Sequence, residues 1–579
     1  MAIKIFSCIN QGLEGKLVEV EADILQGLSA FSIVGLGDMA VQEAKERIRS
    51  AIKNSGFNYP QTKKVINLAP AHVRKHGPQF DLPMAIGLLA ASKQIPENIL
   101  QEMHGLLIVG ELALDGAVRP INGILTMAIF AKKNGWSKII IPKENVAEAS
   151  LVSGLEIIPL SHLNQIRDLD SAKNIFNSAT VFNISEQEFS QEQSGGNGNG
   201  SHEPFLGQES VRAHRLNPDT FTDFSDIVGQ EIAKRALTIS AAGKHHCLLI
   251  GPPGVGKTLL AKAFPGILPP LSEGEMLEVM QIYSSAGLLQ HAQNSQKSVL
   301  MTQRPFRQIH SSSSLLALTG GGIQLKPGEI SLAHHGVLFL DEIAEFPRSH
   351  LESLRQPLEE KEIYVSRSSG TVKYPANFTL IAGMNPCPCG YYGDPEKSCI
   401  CPANQVIRYQ KKLSGPLRDR IDLVIEVPRQ SISKFQEADN VETKNAQSLS
   451  QNSAAIKEKI INARLIQAKR FSADPNELFD PRQQSTSTSS PNPHFNSNGE
   501  VPSSSRTNSE MTPPEIKKYC PINKECQDLL KLANEKFNFS GRNYHQILKT
   551  ARTIADLENH ENIQLEDLSE ALQLRHRNR

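Results

Sequence analysis

The chain carries no net charge: 61 Lys and Arg residues balance 61 Asp and Glu residues over 579 positions. No global basic excess therefore announces a nucleic-acid partner. With 21% charged and 39% hydrophobic residues, the composition is that of an ordinary globular chain. Long apolar runs are missing too. Stretches such as Leu82 to Ala91 fall well short of the roughly 18 to 20 residues that a membrane span needs, so no membrane association is expected. The first ten residues hold one lysine and a short apolar run with no small-residue cleavage signal behind them. They do not look like a secretory leader, and the expected location is cytoplasmic. Cysteine is sparse, 8 in all, with four crowded between Cys387 and Cys401. That predicts free thiols and a metal site rather than a disulfide framework.

The length predicts roughly three to five domains. Two stretches lack the apolar residues that a core requires. From about Asn183 to Asp219, including Gln193-Ser-Gly-Gly-Asn-Gly-Asn-Gly200, the text predicts a flexible linker, bounded at 179–219. Over 473–514 Ser, Asn, Pro and Thr dominate, which predicts a disordered insertion. The remainder divides into an amino-terminal block over 1–178, a core over 220–430, a helical segment over 431–472 and a helical carboxy-terminal unit over 515–579. In the first block Lys16 to Ala22 alternates with period two, Met39 to Asn54 has helical apolar spacing, and Lys138 to Pro142 reads as a buried strand, so the block is α+β.

The strongest motif begins at a short apolar strand, Cys247 to Ile250. It continues as Gly251-Pro252-Pro253-Gly254-Val255-Gly256-Lys257-Thr258 and enters a helix-like run. Such a loop wraps backbone N–H groups around phosphate at a helix N-terminus. Lys257 supplies a cation to the β- and γ-phosphates and the Thr258 hydroxyl a ligand for Mg²⁺. A second apolar strand ends in Asp341 and Glu342; the first is expected in the Mg²⁺ shell and the second to polarise the attacking water. The strand Phe378 to Met384 ends at Asn385, either a neutral amide positioning that water or a turn residue before Pro386. Arg418 and Arg420 precede one more strand, Leu423 to Val427. Together these predict an α/β nucleotide hydrolase using ATP and Mg²⁺.

Two further features stand beside the phosphate loop. Glu362 to Pro375 reads as two short strands about a turn containing Gly370. Cys387-Pro-Cys389 and Cys399-Ile-Cys401 supply four thiols, the number that closes a tetrahedral structural Zn²⁺ site without an open position for catalysis. The spacing is CxC, not the commoner CxxC.

The order of these motifs resembles the AAA+ ATPases of the magnesium chelatase and MCM helicase branch, in particular the ComM/YifB family of magnesium chelatase-like proteins. Matching strings include Arg304-Pro-Phe-Arg307, Gly320-Gly-Gly322, Pro327-Gly-Glu-Ile-Ser-Leu-Ala333, Phe339-Leu-Asp-Glu342, Met384-Asn-Pro-Cys-Pro-Cys-Gly390 and Leu413-Ser-Gly-Pro-Leu417. The resemblance covers nearly everything except the two polar stretches. It implies a AAA+ core with a helical lid, assembled as a ring, hexameric by the family's pattern, with ATP held between subunits. It selects Arg420 as an arginine finger reaching the adjacent subunit's γ-phosphate. Ser540-Gly-Arg542 resembles the sensor-2 motif, with Ser540 a helix N-cap and Arg542 a cation for the phosphates. In related ring motors a hairpin like Glu362 to Pro375 projects into the pore, which makes Arg367 and Lys373 candidates for DNA phosphates.

The amino-terminal block resembles the Lon proteolytic domain through Lys75-His-Gly-Pro78 and Val118-Arg-Pro-Ile-Asn-Gly123. Gln79 stands where the nucleophilic serine would follow, and Leu125 or Met127 where the lysine would lie. An ATP-dependent protease is thereby disfavoured, since that chemistry needs the Ser/Lys dyad. The resemblance implies a hexameric DNA motor, a branch-migration helicase that integrates transforming single-stranded DNA, with single-stranded, branched or recombinase-bound DNA as partners. The alternative is a magnesium chelatase-type motor subunit driving a metal-insertion partner, against which the Lon-like block is expected to count.

Overall fold

The computed structural model describes residues 2–103, 105–166, 222–289, 301–322, 325–367, 370–430, 452–472 and 506–575. The linker expected over 179–219 and most of the insertion lie outside the described residues. The amino-terminal block builds a seven-stranded sheet. β1 (Ile3–Gln11) and β2 (Glu14–Leu25) form an antiparallel hairpin whose register runs from Ile3 opposite Ala22 to Gln11 opposite Glu14. They are joined by β3 (Ala30–Val34), β4 (Lys63–Ala69), β5 (Leu106–Ile108), β6 (Lys138–Pro142) and β7 (Glu156–Leu160) in the order β3-β4-β2-β1-β5-β6-β7. The strands expected at Lys16 to Ala22 and Lys138 to Pro142, and the helix expected at Met39 to Asn54, fall where periodicity put them. Helix α1 (Met39–Asn54) is capped by the Asp38 carboxylate, which accepts from the Val41 N–H, and buries Val41, Ala44, Ile48, Ala51 and Ile52 as one stripe. The apolar run beginning at Leu82 is α2 (Asp81–Ala91), a helix buried from Asp81 to Ala90. A helix hydrophobic all round belongs inside a core.

The second sheet is entirely parallel. Its strands in chain order are β8 (Cys247–Ile250), β9 (Phe306–Ile309), β10 (Val337–Leu340), β13 (Thr379–Met384) and β14 (Leu423–Glu426), while β11 (Glu362–Arg367) and β12 (Gly370–Pro375) form a separate hairpin. In space the order is β9-β10-β13-β8-β14. The first strand therefore sits between the fourth and the fifth. Such a reversal opens a crevice at the carboxyl ends of the strands, where α/β sheets bind ligands. The three inner strands, β10, β13 and β8, are short apolar runs buried on both faces, as a parallel sheet demands.

Helices α4 (Glu231–Gly243) and α5 (Lys257–Ile267) cover one face of this sheet. Against them pack α8 (Ser453–Ser472), α9 (Pro513–Tyr519), α10 (Lys524–Phe537), α11 (Gly541–Leu557) and α12 (Leu565–Arg575), sharing one cluster that includes Leu237, Phe264, Ile460, Ile547 and Ile554. The intervening helices are α6 (Glu273–Ala286) and α7 (Arg355–Glu360), and α3 (Ile124–Lys133) belongs to the amino-terminal block.

One boundary shifts. Residues 506–514 were expected to be disordered with the rest of 473–514, but they are ordered and partly buried. Asn508 accepts from Arg470, and donates through its side-chain amide to Asp556 at 2.8 Å and Thr553 at 3.1 Å. Met511 enters the core. Composition misleads here because the segment is held mainly by buried polar partners from distant helices rather than by its own apolar residues.

The two sheets are joined by an apolar seam. Leu125, Met127 and Ala128 of α3 pack with Val279, Ile282 and Tyr283 of α6. Glu148 accepts from the Leu125 N–H at 3.1 Å and from the Ser284 hydroxyl, and burial pushes its carboxyl up to about 7. The positions where a proteolytic lysine would lie are thus buried in this seam. Gln79 donates to the His76 carbonyl at 2.8 Å. No Ser/Lys dyad is assembled from these positions.

Candidate active site

The carboxyl edge of the parallel sheet gathers the phosphate-loop residues with both strand-end acids. Gly254 and Gly256 have φ of 80° and 92°, the left-handed region open to glycine, and this turns Gly251 to Gly256 back into the start of α5 at Lys257. The loop thereby aims a helix N-terminus at its own hollow, a ready anion site. Lys257 is buried and donates to the carbonyls of Gly251 at 2.6 Å and Pro252 at 2.9 Å, and to Asn385 Oδ1 at 3.0 Å. Burial pushes its ammonium down to about 8, with Asp341 and Glu342 opposing the shift. Phosphate oxygens would restore the charge.

Thr258 Oγ1 donates to Asp341 Oδ2 at 2.7 Å, so the two oxygens expected to serve Mg²⁺ lie side by side. That donor set, a hydroxyl and a carboxylate beside a phosphate cradle, fits a hard divalent ion. Gly383 stands opposite: a Cβ there would come within 2.9 Å of Asp341 Oδ1 and press on that carboxylate. Glu342 leaves the strand end at φ 49°, a left-handed position unusual for a side-chain-bearing residue, and is exposed. The turn lifts its carboxylate out of the sheet edge beside Asp341. Asn385 closes the set through Lys257. Five of the candidate residues, Lys257, Thr258, Asp341, Glu342 and Asn385, therefore converge on one hollow.

Arg420 and Arg542 do not join them. Both lie with His246, Phe378 and Asp422 around one cavity of about 580 Å³. Those three residues precede β8, β13 and β14, so the cavity opens at the amino edge of the sheet, opposite the phosphate loop. Strands of four to six residues separate the two edges by on the order of 13 to 20 Å. Arg420 Nη2 pairs with Glu359 of α7, and Arg542 Nη1 donates to the same Glu359 oxygen at 2.8 Å. The guanidiniums of Arg420 and Arg542, in that order, hold the Glu359 carboxyl below its usual range. Ser540 caps α11, accepting from the Asn543 N–H as expected, and so fixes Arg542 in the first turn. Arg542 consequently cannot serve the phosphate loop of its own chain in this conformation. Glu359, Lys361 and Lys549 were invisible to sequence reasoning, because no local spacing distinguishes them from other surface charges.

The hairpin β11–β12 has the expected extent. Ile363, Val365, Val372 and Tyr374 form its buried face, while Tyr364 and Arg367 are exposed. Lys373 is paired with Glu362 at 2.6 Å; Arg367 makes no ion pair among the described residues. The turn of the β1–β2 hairpin packs on it so closely that a Cβ at Gly12 would collide with Val372.

The four thiols of Cys387, Cys389, Cys399 and Cys401 lie within 4.8 Å of one another, with separations of 3.3, 3.7 and 3.6 Å among the first three. Tetrahedral Zn²⁺–thiolate bonds of about 2.3 Å set sulfurs about 3.8 Å apart, so the donors fit. The Tyr392 and Cys401 N–H groups donate to Cys387 and Cys399 sulfurs. This turn abuts the phosphate loop: a Cβ at Gly390 would stand 2.6 Å from Pro253 Cδ.

Family models agree with this anatomy. Residues 223–435 match magnesium chelatase, subunit ChlI; residues 450–575 match the carboxy-terminal part of that subunit; and residues 20–145 match subunit ChlI of Mg-chelatase. The family model matched by the amino-terminal block is thus itself described by a chelatase subunit. Competence protein ComM of Haemophilus influenzae is 37% identical over 98% of this chain and 96% of its own length. YifB of Escherichia coli is 37% identical over 97% of this chain and 95% of its own. Lon protease 2 of Bacillus subtilis is 27% identical over 27% of this chain and 30% of its own. Among the described residues no helix is long and apolar enough to cross a membrane. The chain belongs to the ComM/YifB family of magnesium chelatase-like AAA+ ATPases.

Proposed function

We propose that this protein is an ATP-driven ring motor acting on DNA, a branch-migration helicase that promotes integration of incoming single-stranded DNA by homologous recombination. The observation that carries the ring is the separation of the two half-sites. Residues suited to phosphate, Mg²⁺ and water occupy one edge of the sheet, and the two candidate transition-state cations occupy the other. A head-to-tail ring, hexameric in this reading, brings the arginine edge of one subunit against the phosphate edge of the next. Mg²⁺ would be held by Thr258 and Asp341 and would neutralise phosphate charge. Lys257 holds the β- and γ-phosphates, Glu342 accepts the proton of the attacking water, and Asn385 orients that water. Arg420 and Arg542 of the neighbour stabilise charge on the transferred phosphoryl group. Zn²⁺ on the four thiols would brace the wall behind Pro253 and leave the chemistry to other residues.

DNA as the substrate rests on likeness to a protein named for competence and on the exposed, unpaired Arg367. A chelatase-type motor remains the second reading, because all three family models carry chelatase descriptions. ATPase rates on forked duplex, four-way junction and single-stranded DNA separate the two. The motor reading expects stimulation, lost steeply with salt because phosphate contacts release counterions. Arg367→Ala should reduce the stimulated rate roughly two- to fivefold and leave the basal rate unchanged. No binding and no stimulation by any of the three at low salt defeats the DNA reading.

A further inference from the structure

The cavity at the amino edge is crowded with cations: Lys244, Lys361, Arg420, Arg542 and Lys549 all line it. Glu510 and Asp422, the acids that line it, are already engaged by groups other than the two arginines. Glu510 pairs with Lys361 and accepts from the Thr507 N–H at 2.9 Å. Asp422 accepts from the His246 N–H at 3.1 Å and faces the buried His245 ring at 3.6 Å. Lys549 is satisfied by the Ser509 carbonyl at 2.8 Å. Among the described residues Glu359 is the one counter-ion paired with the two arginines, and both guanidiniums converge on a single one of its oxygens. Arg420 Nε, buried, keeps an unused donor.

Glu359 also links parts of the chain that are distant in sequence: it stands on α7, Arg420 in the loop before β14, and Arg542 on the first turn of α11. Two guanidiniums with donors to spare are matched poorly by one shared oxygen. They suit a phosphoryl group, which offers three.

We propose that Glu359 is an internal clasp: its carboxylate takes the position that the neighbouring subunit's γ-phosphate takes in the closed ring, and must let go of Arg420 and Arg542 before that interface becomes active. The clasp rests on the reading that both arginines act on the neighbour. It keeps them gathered and partly neutralised in the absence of nucleotide, and it makes each interface wait for ATP. Glu359 acts only through the arginines and is not a catalytic residue. Being half-exposed, it is a weak competitor, worth a modest shift in the ATP concentration required rather than a block.

The test is full-length Glu359→Gln, which is nearly isosteric and removes only the charge. Steady-state ATPase should show KM for ATP lowered about three- to tenfold, the scale of two exposed ion pairs, with kcat within about twofold of wild type. In sedimentation, ring assembly should reach its midpoint at an ATPγS concentration lowered by a similar factor. Glu360→Gln is the control, since its carboxylate accepts from Gln356 and touches neither arginine; it should shift neither quantity. Unchanged KM and assembly in Glu359→Gln, the same shift in both variants, or loss of kcat at unchanged KM each overturns the clasp. Arg420→Ala in the same assay keeps the two layers apart. If Arg420→Ala hydrolyses ATP at the wild-type rate, the underlying assignment fails; if it is inactive while Glu359→Gln is silent, only the clasp does.

Discussion

The two edges of the parallel sheet differ in how complete they are. At the carboxyl edge, Lys257 already bonds Asn385 at 3.0 Å and Thr258 bonds Asp341 at 2.7 Å, and each follows directly from the strand or loop that ends there. At the amino edge, Arg420 and Arg542 are assembled around a carboxylate that has no phosphate chemistry of its own. The first edge is prearranged for a ligand. In the proposed ring a neighbour would complete the second, which is the simplest reason for a chain to carry cations for phosphate on the side away from its phosphate loop.

The sharpest way to break that comparison is Arg420→Ala. Turnover should fall roughly 10³-fold or more while MgATP still binds, since a trans-acting arginine contributes on that scale. Mixing it with Lys257→Ala should recover part of the activity, because some interfaces then pair an intact loop with an intact finger. If mixed rings form and remain inactive, the assignment to the neighbour is wrong.

The next largest effect belongs to the other edge. Glu342→Gln should slow single-turnover hydrolysis roughly 10²-fold or more with MgATP affinity nearly unchanged, whereas Lys257→Ala should lose binding itself. Equal hydrolysis rates for Glu342→Gln and wild type would remove Glu342 from the mechanism.

A pH effect distinguishes the edges further. Lys257 titrates at about 8 before phosphate reaches it, and phosphate favours its charged form. Above that pH, binding must take up a proton, so MgATP affinity should fall as pH rises, by up to about fivefold between pH 8 and pH 9 and towards tenfold per unit beyond. Below it the affinity should level off. Lys257→Arg, charged throughout, should abolish the dependence if it binds at all. Calorimetry across this range reads both, and a flat profile for the wild type contradicts the assignment.

The smallest effect on turnover is expected at the thiol cluster. Protein purified without chelators should carry about one Zn²⁺ per chain. Replacing Cys387 and Cys389 by serine should lower Tm by at least about 2 to 4 °C, the shift expected for roughly 1 kcal/mol in a unit of this size, with a lesser change in MgATP affinity. Metal analysis that finds no zinc ends this part of the reading.

Contiguous chemistry was legible. The phosphate loop, the acidic strand end, α1, β6 and the hairpin of β11 and β12 appear where spacing predicts them, because each depends on residues within one turn or one strand of each other. Failures came where partners are far apart. Nothing in the Ser- and Asn-rich text of 506–514 shows that Asn508 will meet Asp556 and Thr553 across a buried polar network. Nothing near Leu125 and Met127 shows that α6 will cover them.

By itself the sequence determined which residues can hold phosphate, a divalent ion and a water, since a glycine turn between a short apolar strand and a helix leaves the backbone few alternatives. It also supplied two arginines fit for phosphoryl charge. Only the tertiary structure decided which side of the sheet each would occupy. That choice follows from strand order and from the packing of α11 against α4, long-range contacts whose free energy no local pattern encodes. The same contacts brought Glu359 to both arginines and placed them away from the phosphate loop of their own chain.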